Sequence, residues 1–474
     1  MSLPPTSPNR RVIPLVAAGT PRLHPRAVQG LFNRWRWIMV WLTQLVFYGL
    51  PWLAWNGRQA VLFDLEARRF YLFGLVLYPQ DFIYLALLLV ICALGLFFVT
   101  AVAGRVWCGF ACPQSVYTAL FLRIERLFEG ERSARLRLDA SPWNGTKIGR
   151  RGGKQLAWIA LALWTGLSFV GYFTPIRQLL PLALQLGTGP WETFWIGFYG
   201  LATYGNAGFL REQVCKHMCP YGRFQSVMFD RDTLIIGYDA ARGEPRGARP
   251  RGAAGKSQGL GDCIDCTLCV QVCPTGIDIR DGLQSNCIGC AACIDACDQV
   301  MDKTGRPRGL IRYASSNGLE QGWSRHQLIR RALRPRVLVY GALLAAAGLA
   351  FVLSLAQRTP LRVDVIRDRG VLARAVEQGA VENVYRLHLM NAEESPRRYR
   401  LSVSGPAGLS LQGASEVELG SAEERSVVAA VRLGGEQAAR LAGQTLPIRF
   451  SVERVDDTRA PLRISEPSTF LLPR

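Results

Sequence analysis

The chain has 474 residues, of which 49% are hydrophobic, with a formal net charge of +20 and a mean hydropathy of +0.11. This length predicts several domains, and the positive mean hydropathy argues against a wholly soluble protein. The Lys and Arg residues cluster beside apolar runs, the pattern of membrane loops, so the charge does not imply a nucleic-acid partner.

Residues 1–36 are rich in Pro and Arg and lack the short apolar stretch and small-residue site of a cleavable leader, so they read as a cytoplasmic N-terminal segment. Five apolar segments follow: Trp37–Trp55, Phe82–Ala103, Leu156–Thr174, Trp191–Leu210 and Val337–Ala356. Each approaches the roughly 20 residues needed to cross about 30 Å of hydrocarbon. The fourth carries Glu192, Asn206 and several Gly, and a buried soluble helix is its competing reading. Trp35, Trp37, Trp52, Trp55, Trp158 and Trp191 lie where an interfacial aromatic belt would put them.

Orientation follows from charge. Arg10, Arg11, Arg22, Arg26, Arg34 and Arg36 precede the first span, and Gly104–Lys154 and Arg211–Arg336 are dense in Arg. Asn56–Asp81 and Pro175–Pro190 are poor in it. The positive-inside rule therefore predicts residues 37–210 as a four-helix region, 211–336 as cytoplasmic and 337–356 as a fifth span. Residues 361–474 then lie outside, in a periplasm for a Gram-negative bacterium. Their stretches Val384–Met390, Tyr399–Val403 and Leu446–Val452 alternate with a period of two, which predicts an antiparallel immunoglobulin-like sandwich with no catalytic constellation.

Thirteen cysteines are present, eight of them in one tight block, which suits ligands in a reducing compartment better than a disulfide framework. Cys263, Cys266, Cys269 and Cys273, the last followed by Pro274, precede the same spacing at Cys287, Cys290, Cys293 and Cys297. This is the two-cluster ferredoxin pattern, in which the last cysteine of each run ligates the other cluster. Cys263, Cys266, Cys269 and Cys297 are thus expected to hold one 4Fe–4S cluster, and Cys287, Cys290, Cys293 and Cys273 the other. Gly276, Gly289, Ala291 and Ala292 are small enough for the backbone to approach and donate N–H groups to sulfur. Structural zinc is the competing reading, although zinc motifs do not usually run twice in this form. The expected ferredoxin-like α+β insert covers about 255–305.

Two further elements echo each other. Cys108-Gly-Phe-Ala-Cys112-Pro113 follows the second segment, and Cys215-Lys-His-Met-Cys219-Pro220 follows the fourth. Each is trailed by an amphipathic stretch, so the hairpins read as parallel repeats. On a helix this spacing puts both sulfurs on one face. Convergence of Cys108, Cys112, Cys215 and Cys219 would suit Cu(I), zinc or an iron–sulfur cluster, with His217 and Met218 as further copper ligands. A dithiol–disulfide couple, with thiol pKa values lowered by nearby Arg and Lys, and simple packing at helix ends are the alternatives. Cys92, alone in a span, reads as packing.

The stretches Gly57–Leu65, Gly104–Gln114, Asp230–Ile236, Tyr238–Gly247, Met301–Lys303 and Pro307–Arg312, with both CxxxCP elements, resemble the cytochrome c oxidase accessory proteins of the CcoG/FixG/RdxA type along nearly the whole chain. The resemblance implies a multi-pass protein of the bacterial inner membrane that reduces Cu(II) to Cu(I) for assembly of cbb3-type cytochrome oxidase. It implies electron relay by the clusters and copper handling by the CxxxCP cysteines. Expected partners are oxidase subunits, copper-handling assembly factors, a cytoplasmic electron donor and membrane lipid, with homo-oligomers an open possibility. A quinone-linked membrane ferredoxin and a non-catalytic assembly scaffold are the rival readings.

Overall fold

The structure, a computed structural model, describes residues 23–248, 259–368, 370, 372–456 and 462–473. Arg10, Arg11 and Arg22 of the basic N-terminal segment lie outside the described residues. Each expected apolar segment holds a helix: Leu31–Gly49, Phe82–Ala103, Gly145–Val170, Pro190–Thr203 and Pro335–Ala356. Among the described residues, two stretches are long and apolar enough to cross a membrane: Pro79–Ala103 and Pro335–Ala356, with mean hydropathies of 2.9 and 2.2. The other helices fall short for reasons visible in the chain. Arg34 and Arg36 sit in the first, and Lys147, Arg150, Arg151 and Lys154 open the third. The fourth stops after 14 residues and continues as a π-turn, Tyr204–Leu210. Cys92 is exposed on its helix, not packed in a protein core.

The chain forms two compact units. One contains the residues up to Thr43, Leu96–Ala162 and Leu201–Leu338; the other contains Gln44–Gly95, Leu163–Gly200 and Val339–Arg474. The chain changes unit five times, each time inside one of the five helices.

In the first unit, strands Ile235–Tyr238 and Ile311–Ala314 pair antiparallel, and helices Leu268–Gln271 and Ala292–Lys303 lie between them in sequence. Ile236, Ile279, Ile294, Met301 and Ile311 pack the core of this α+β fold. The fold therefore reaches beyond 255–305 on both sides. Asp295, on the second of these helices, accepts the N–H groups of Phe32 (3.2 Å) and Asn33 (2.7 Å). It caps the otherwise unpaired amino end of helix Leu31–Gly49.

The same unit buries a charge cluster. Glu125, on helix Pro113–Glu129, is fully buried and meets Arg135 at 3.2 Å, Arg211 at 3.0 Å and Lys154 at 3.9 Å. Lys154 also pairs with Glu129 at 2.6 Å. Lys154 and Arg211 both lie over the ring of buried Trp158. Such a network leaves a costly uncompensated charge when any member is removed.

In the second unit, Leu361–Leu472 form the sandwich. One sheet orders strands Leu409–Gln412, Glu424–Leu433, Val381–Asn391 and Leu361–Arg367; the other orders Glu416–Leu419, Arg397–Ser404, Thr445–Arg454 and Arg463–Leu471. Every pairing is antiparallel. Tyr385, Leu387 and Leu389 alternate inward and meet Tyr399, Leu401, Phe450 and Val452, as a period of two requires. A three-stranded sheet at Val61–Asp64, Arg69–Leu72 and Leu75–Leu77 was not anticipated. Its Tyr71 and Val76 share a core with Met390, Ala392 and Ala422. Buried Asp81 ties Arg358 and Arg362 at 2.6 Å each.

Candidate functional site

The two cysteine runs fold into matching loops. At the second position after the first cysteine stand Asp265 and Gly289, and at the fourth stand Thr267 and Ala291; all four are left-handed. A non-glycine residue in that region costs about 1 kcal/mol or more and persists where its surroundings over-determine it. Here the alternation turns successive N–H groups toward the cysteines: Gly289 donates to the Cys287 sulfur, Ala292 to Cys290 and Val270 to Cys269.

Two cavities result. One is lined by Cys263, Cys266, Cys269 and Cys297, and the other by Cys269, Cys273, Cys287, Cys290 and Cys293. The cysteines expected to hold one cluster line the first space and those expected to hold the other line the second, with Cys269 touching both. The donor set fits iron. Burial, with the neighbouring thiols adding to it, pushes Cys287 and Cys297 up to about 12, Cys269 up to about 11 and Cys293 well above the usual thiol range. Crowded, dry thiols ionise together only when cations share the cavity, which a 4Fe–4S cluster supplies.

Tyrosines from the strand pair complete the two sites. Tyr238 lines the first cavity and donates to Glu244 at 3.0 Å. Tyr313 donates to the Gly289 carbonyl at 2.7 Å, on the loop of the second.

The two CxxxCP elements share one architecture. Cys108 lies in the short helix Val106–Phe110 and Cys215 in the π-turn Val214–Met218. Cys112 and Cys219 are extended residues directly before Pro113 and Pro220, which open the helices Pro113–Glu129 and Pro220–Met228. The Cys112 N–H reaches back five residues to Trp107 (2.9 Å), and Cys219 does the same to Val214 (2.8 Å). Proline excludes the helical region for the residue before it. The two sulfurs of a motif therefore do not share one helix face as their spacing suggested; the second cysteine stands at a break.

Contacts bind the two elements together. The Cys108 Sγ donates to Gln225 Oε1 at 3.3 Å, and Gln225 donates to Thr100 at 3.3 Å. Gln114 donates to the carbonyls of Asn206 and Arg211, both at 3.0 Å, on the turn that precedes the second element. Cys108 and Cys215 pack on the same apolar cluster as Ile288, Cys290 and Ala296, with Cys293 beside them. Burial pushes Cys108 up to about 12 and Cys215 up to about 11, against the opposing pull of Arg105. Desolvation thus outweighs the nearby cation at both of these thiols. His217 and Met218 are exposed. Among the described residues, no group of three or more His, Cys, Asp or Glu is placed to hold a single metal ion.

The first element sits directly on the second cluster loop. A Cβ on Gly109 would stand 2.7 Å from the Gly289 carbonyl oxygen and 2.7 Å from the Cys290 Cα. Arg105, nine-tenths buried, donates to the Ser285 carbonyl, to Cys287 at 3.0 Å, to Gly222 at 2.5 Å and to Ser226 at 2.6 Å. One guanidinium therefore joins the first motif, the helix after the second and the cluster loop. Neither Gly109 nor Arg105 is marked by spacing alone; the only sequence signal is their place inside Gly104–Gln114.

Residues 210–316 match the family described as a 4Fe–4S dicluster domain, 85–130 a 4Fe–4S binding domain, and 351–473 the Ig-like fold at the C-terminus of FixG. The nitrogen fixation protein FixG of Rhizobium meliloti is 39% identical over 426 residues, 83% of this chain and 81% of its own. Protein RdxA of Cereibacter sphaeroides is 40% identical over 461 residues, 94% of this chain and 96% of its own. RdxB of the same organism is 41% identical over 414 residues, 86% of each.

Proposed function

Because the chain belongs to the FixG/RdxA family of ferredoxin-type proteins, we propose that its iron–sulfur electron-transfer chemistry serves the reduction of Cu(II) to Cu(I). The product supplies the copper centre of a cbb3-type oxidase during assembly. The observation that carries this reading is the seating of Gly109 and Arg105 on the Cys287–Cys293 loop, which puts the half-buried Cys108 thiol beside one cluster site. When bound, a 4Fe–4S cluster supplies single electrons, the number Cu(II) needs to become Cu(I). Soft thiol ligands then retain the reduced ion better than the oxidised one. Arg105 holds the thiol element against the cluster loop, and the Pro turns leave Cys112 and Cys219 at helix breaks, where small rearrangements bring sulfurs to an incoming ion.

The chain is read as a five-span protein of the bacterial inner membrane, with the ferredoxin fold cytoplasmic and the sandwich periplasmic. Five changes of unit, each within an apolar helix, and the Arg-dense loops on one side of that division support it. Oxidase subunits and copper-handling factors are the partners this role needs, with a cytoplasmic reductant.

A second reading has one specific support, the match of 85–130 to a 4Fe–4S binding domain. In it, Cys108, Cys112, Cys215 and Cys219 hold a third cluster and copper is reduced elsewhere.

The test is anaerobic: purified protein in detergent is reduced with dithionite, then mixed with Cu(II) and a Cu(I)-specific chelator. Cluster reoxidation should match Cu(I)-chelate formation, and Cys108→Ser/Cys112→Ser should abolish it with iron content intact. Unchanged copper reduction in that variant refutes the thiol role. Iron beyond two clusters in the wild type, lost in the variant, establishes the second reading. Reoxidation by a quinone analogue and not by copper makes the protein quinone-linked.

A further inference from the structure

Helix Pro220–Met228 opens directly after the second CxxxCP break and carries Gln225, whose side chain is fully buried. Both ends of its amide are engaged. The carbonyl Oε1 accepts the Cys108 thiol at 3.3 Å, and Nε2 donates to the Thr100 hydroxyl at 3.3 Å. Thr100, also fully buried, lies 2.6 Å from the Tyr221 hydroxyl, and both hydroxyls reach the Leu96 carbonyl, at 2.8 and 3.2 Å. The protons of Thr100 and Tyr221 are thereby spent on each other and on Leu96. Thr100 is left to accept, which turns the Gln225 N–H toward it and the carbonyl oxygen toward Cys108. The helix is pinned on both sides of Gln225, because Arg105 donates to the Gly222 carbonyl at 2.5 Å and to Ser226 at 2.6 Å. A polar chain thus runs from Cys108 of the first motif to Tyr221, two residues beyond Cys219 of the second.

An S–H group is a weak donor, so the contact returns little for the cost of burying an amide. What it does fix is the sulfur. Cys108 lies on a helix of only five residues, Val106–Phe110, and its side chain has three staggered positions open to it. The bond to Gln225 selects one of them, and Cys108 then packs with Cys215 on one apolar cluster. We propose that Gln225 is the positioning residue of the thiol site: it holds the Cys108 sulfur where a soft ion meets thiols of both CxxxCP elements. The inference deepens the copper reading above and rests on it in taking these thiols as the ion's ligands. Thr100 acts only through Gln225, by fixing which end of the amide faces the sulfur.

The experiment uses the cluster-loaded full chain in detergent without oxygen, titrated with Cu(I) against a competing Cu(I) chelator. Gln225→Leu and Thr100→Val should each weaken Cu(I) binding by about tenfold or more, the loss typical when a group that orients a metal ligand is removed. The double variant should bind no more weakly than Gln225→Leu alone, since the two residues act as one unit. X-ray absorption of the Cu(I)-loaded Gln225→Leu protein should show fewer sulfur neighbours than wild type. If Gln225→Leu does not fold, Thr100→Val carries the same readouts. Unchanged affinity and sulfur number in the single variants overturn the proposal, and so do losses that simply add in the double variant, which would mark two independent packing defects. Reduction of Cu(II) by the dithionite-reduced protein is scored separately. If wild type fails to reduce Cu(II) while Cu(I) binding depends on Gln225, the copper-reductase reading falls and the positioning role stands. Copper reduction by wild type with variants that bind Cu(I) normally leaves that reading and removes the role.

Discussion

Gly109 and Arg105 carry the contact on which the proposed electron path depends, and each makes a prediction. Replacing a helical Gly by Ala ordinarily stabilises by about 0.4–1 kcal/mol through the unfolded chain. At Gly109 the added methyl meets backbone at 2.7 Å on the Cys290 loop, and backbone does not yield as a flexible side chain would. Gly109→Ala should therefore lower iron content toward about half, as one of two clusters is lost or becomes labile, and depress copper reduction with it; iron analysis and electron paramagnetic resonance of the reduced protein check this. Arg105→Gln removes a buried cation that donates to the Cys287 carbonyl. A positive charge favours the reduced cluster, so the potential of the site formed by Cys273, Cys287, Cys290 and Cys293 should fall by tens of millivolts, about 59 mV being a tenfold change for one electron. The other site should hold its potential in the same redox titration. That the eight cysteines of the two runs line two adjoining spaces was legible because cluster chemistry dictates their spacing. Arg105, Asp295 and Tyr313 were not, since each acts across more than 60 residues of sequence or through a backbone group that no pattern announces.

Among the elements, the helix Pro113–Glu129 does two jobs: it begins at the first CxxxCP break and carries Glu125 into the buried charge cluster. Glu125 is met there by Arg135, Lys154 and Arg211, and Arg211 lies on the turn that leads into the second element. Glu125→Gln leaves three buried cations with one fewer anion, which should cost about 3–5 kcal/mol. Thermal unfolding in detergent should show the loss. Glu125→Asp, which keeps the charge, should recover part of it. The long apolar helices were readable from hydropathy, and the sandwich strands from their alternation, because both patterns are local. The strand pair Ile235–Tyr238 with Ile311–Ala314 was not, since four-residue strands carry little periodic signal and these partners lie far apart in sequence. The helical alignment of each cysteine pair failed for a local reason: the proline after the second cysteine breaks the helix.

At the scale of the whole molecule, the division into two units makes the proposed chemistry and the proposed docking role separable. Every cluster cysteine and all four CxxxCP cysteines fall in the first unit, while the sandwich and the sheet at 61–77 fall in the second. The sandwich fills its own core from Tyr385, Leu387, Tyr399, Phe450 and Phe470, and none of its buried residues serves a cluster loop. A chain ending after Arg358 should therefore retain iron content and the in vitro rate of Cu(II) reduction within about twofold, while losing support of oxidase assembly in cells. Truncation exposes the apolar side of the 61–77 sheet, where Tyr71 and Val76 meet Met390 and Ala392, so yield should drop and the comparison must be made per loaded cluster. Disrupting that packing alone with Met390→Asp in the full chain provides the control for lost stability, since it spares the sandwich surface available to partners. If the truncated protein has its full complement of iron and yet does not reduce copper, the sandwich belongs to the reaction, and the catalytic unit proposed here is drawn too small.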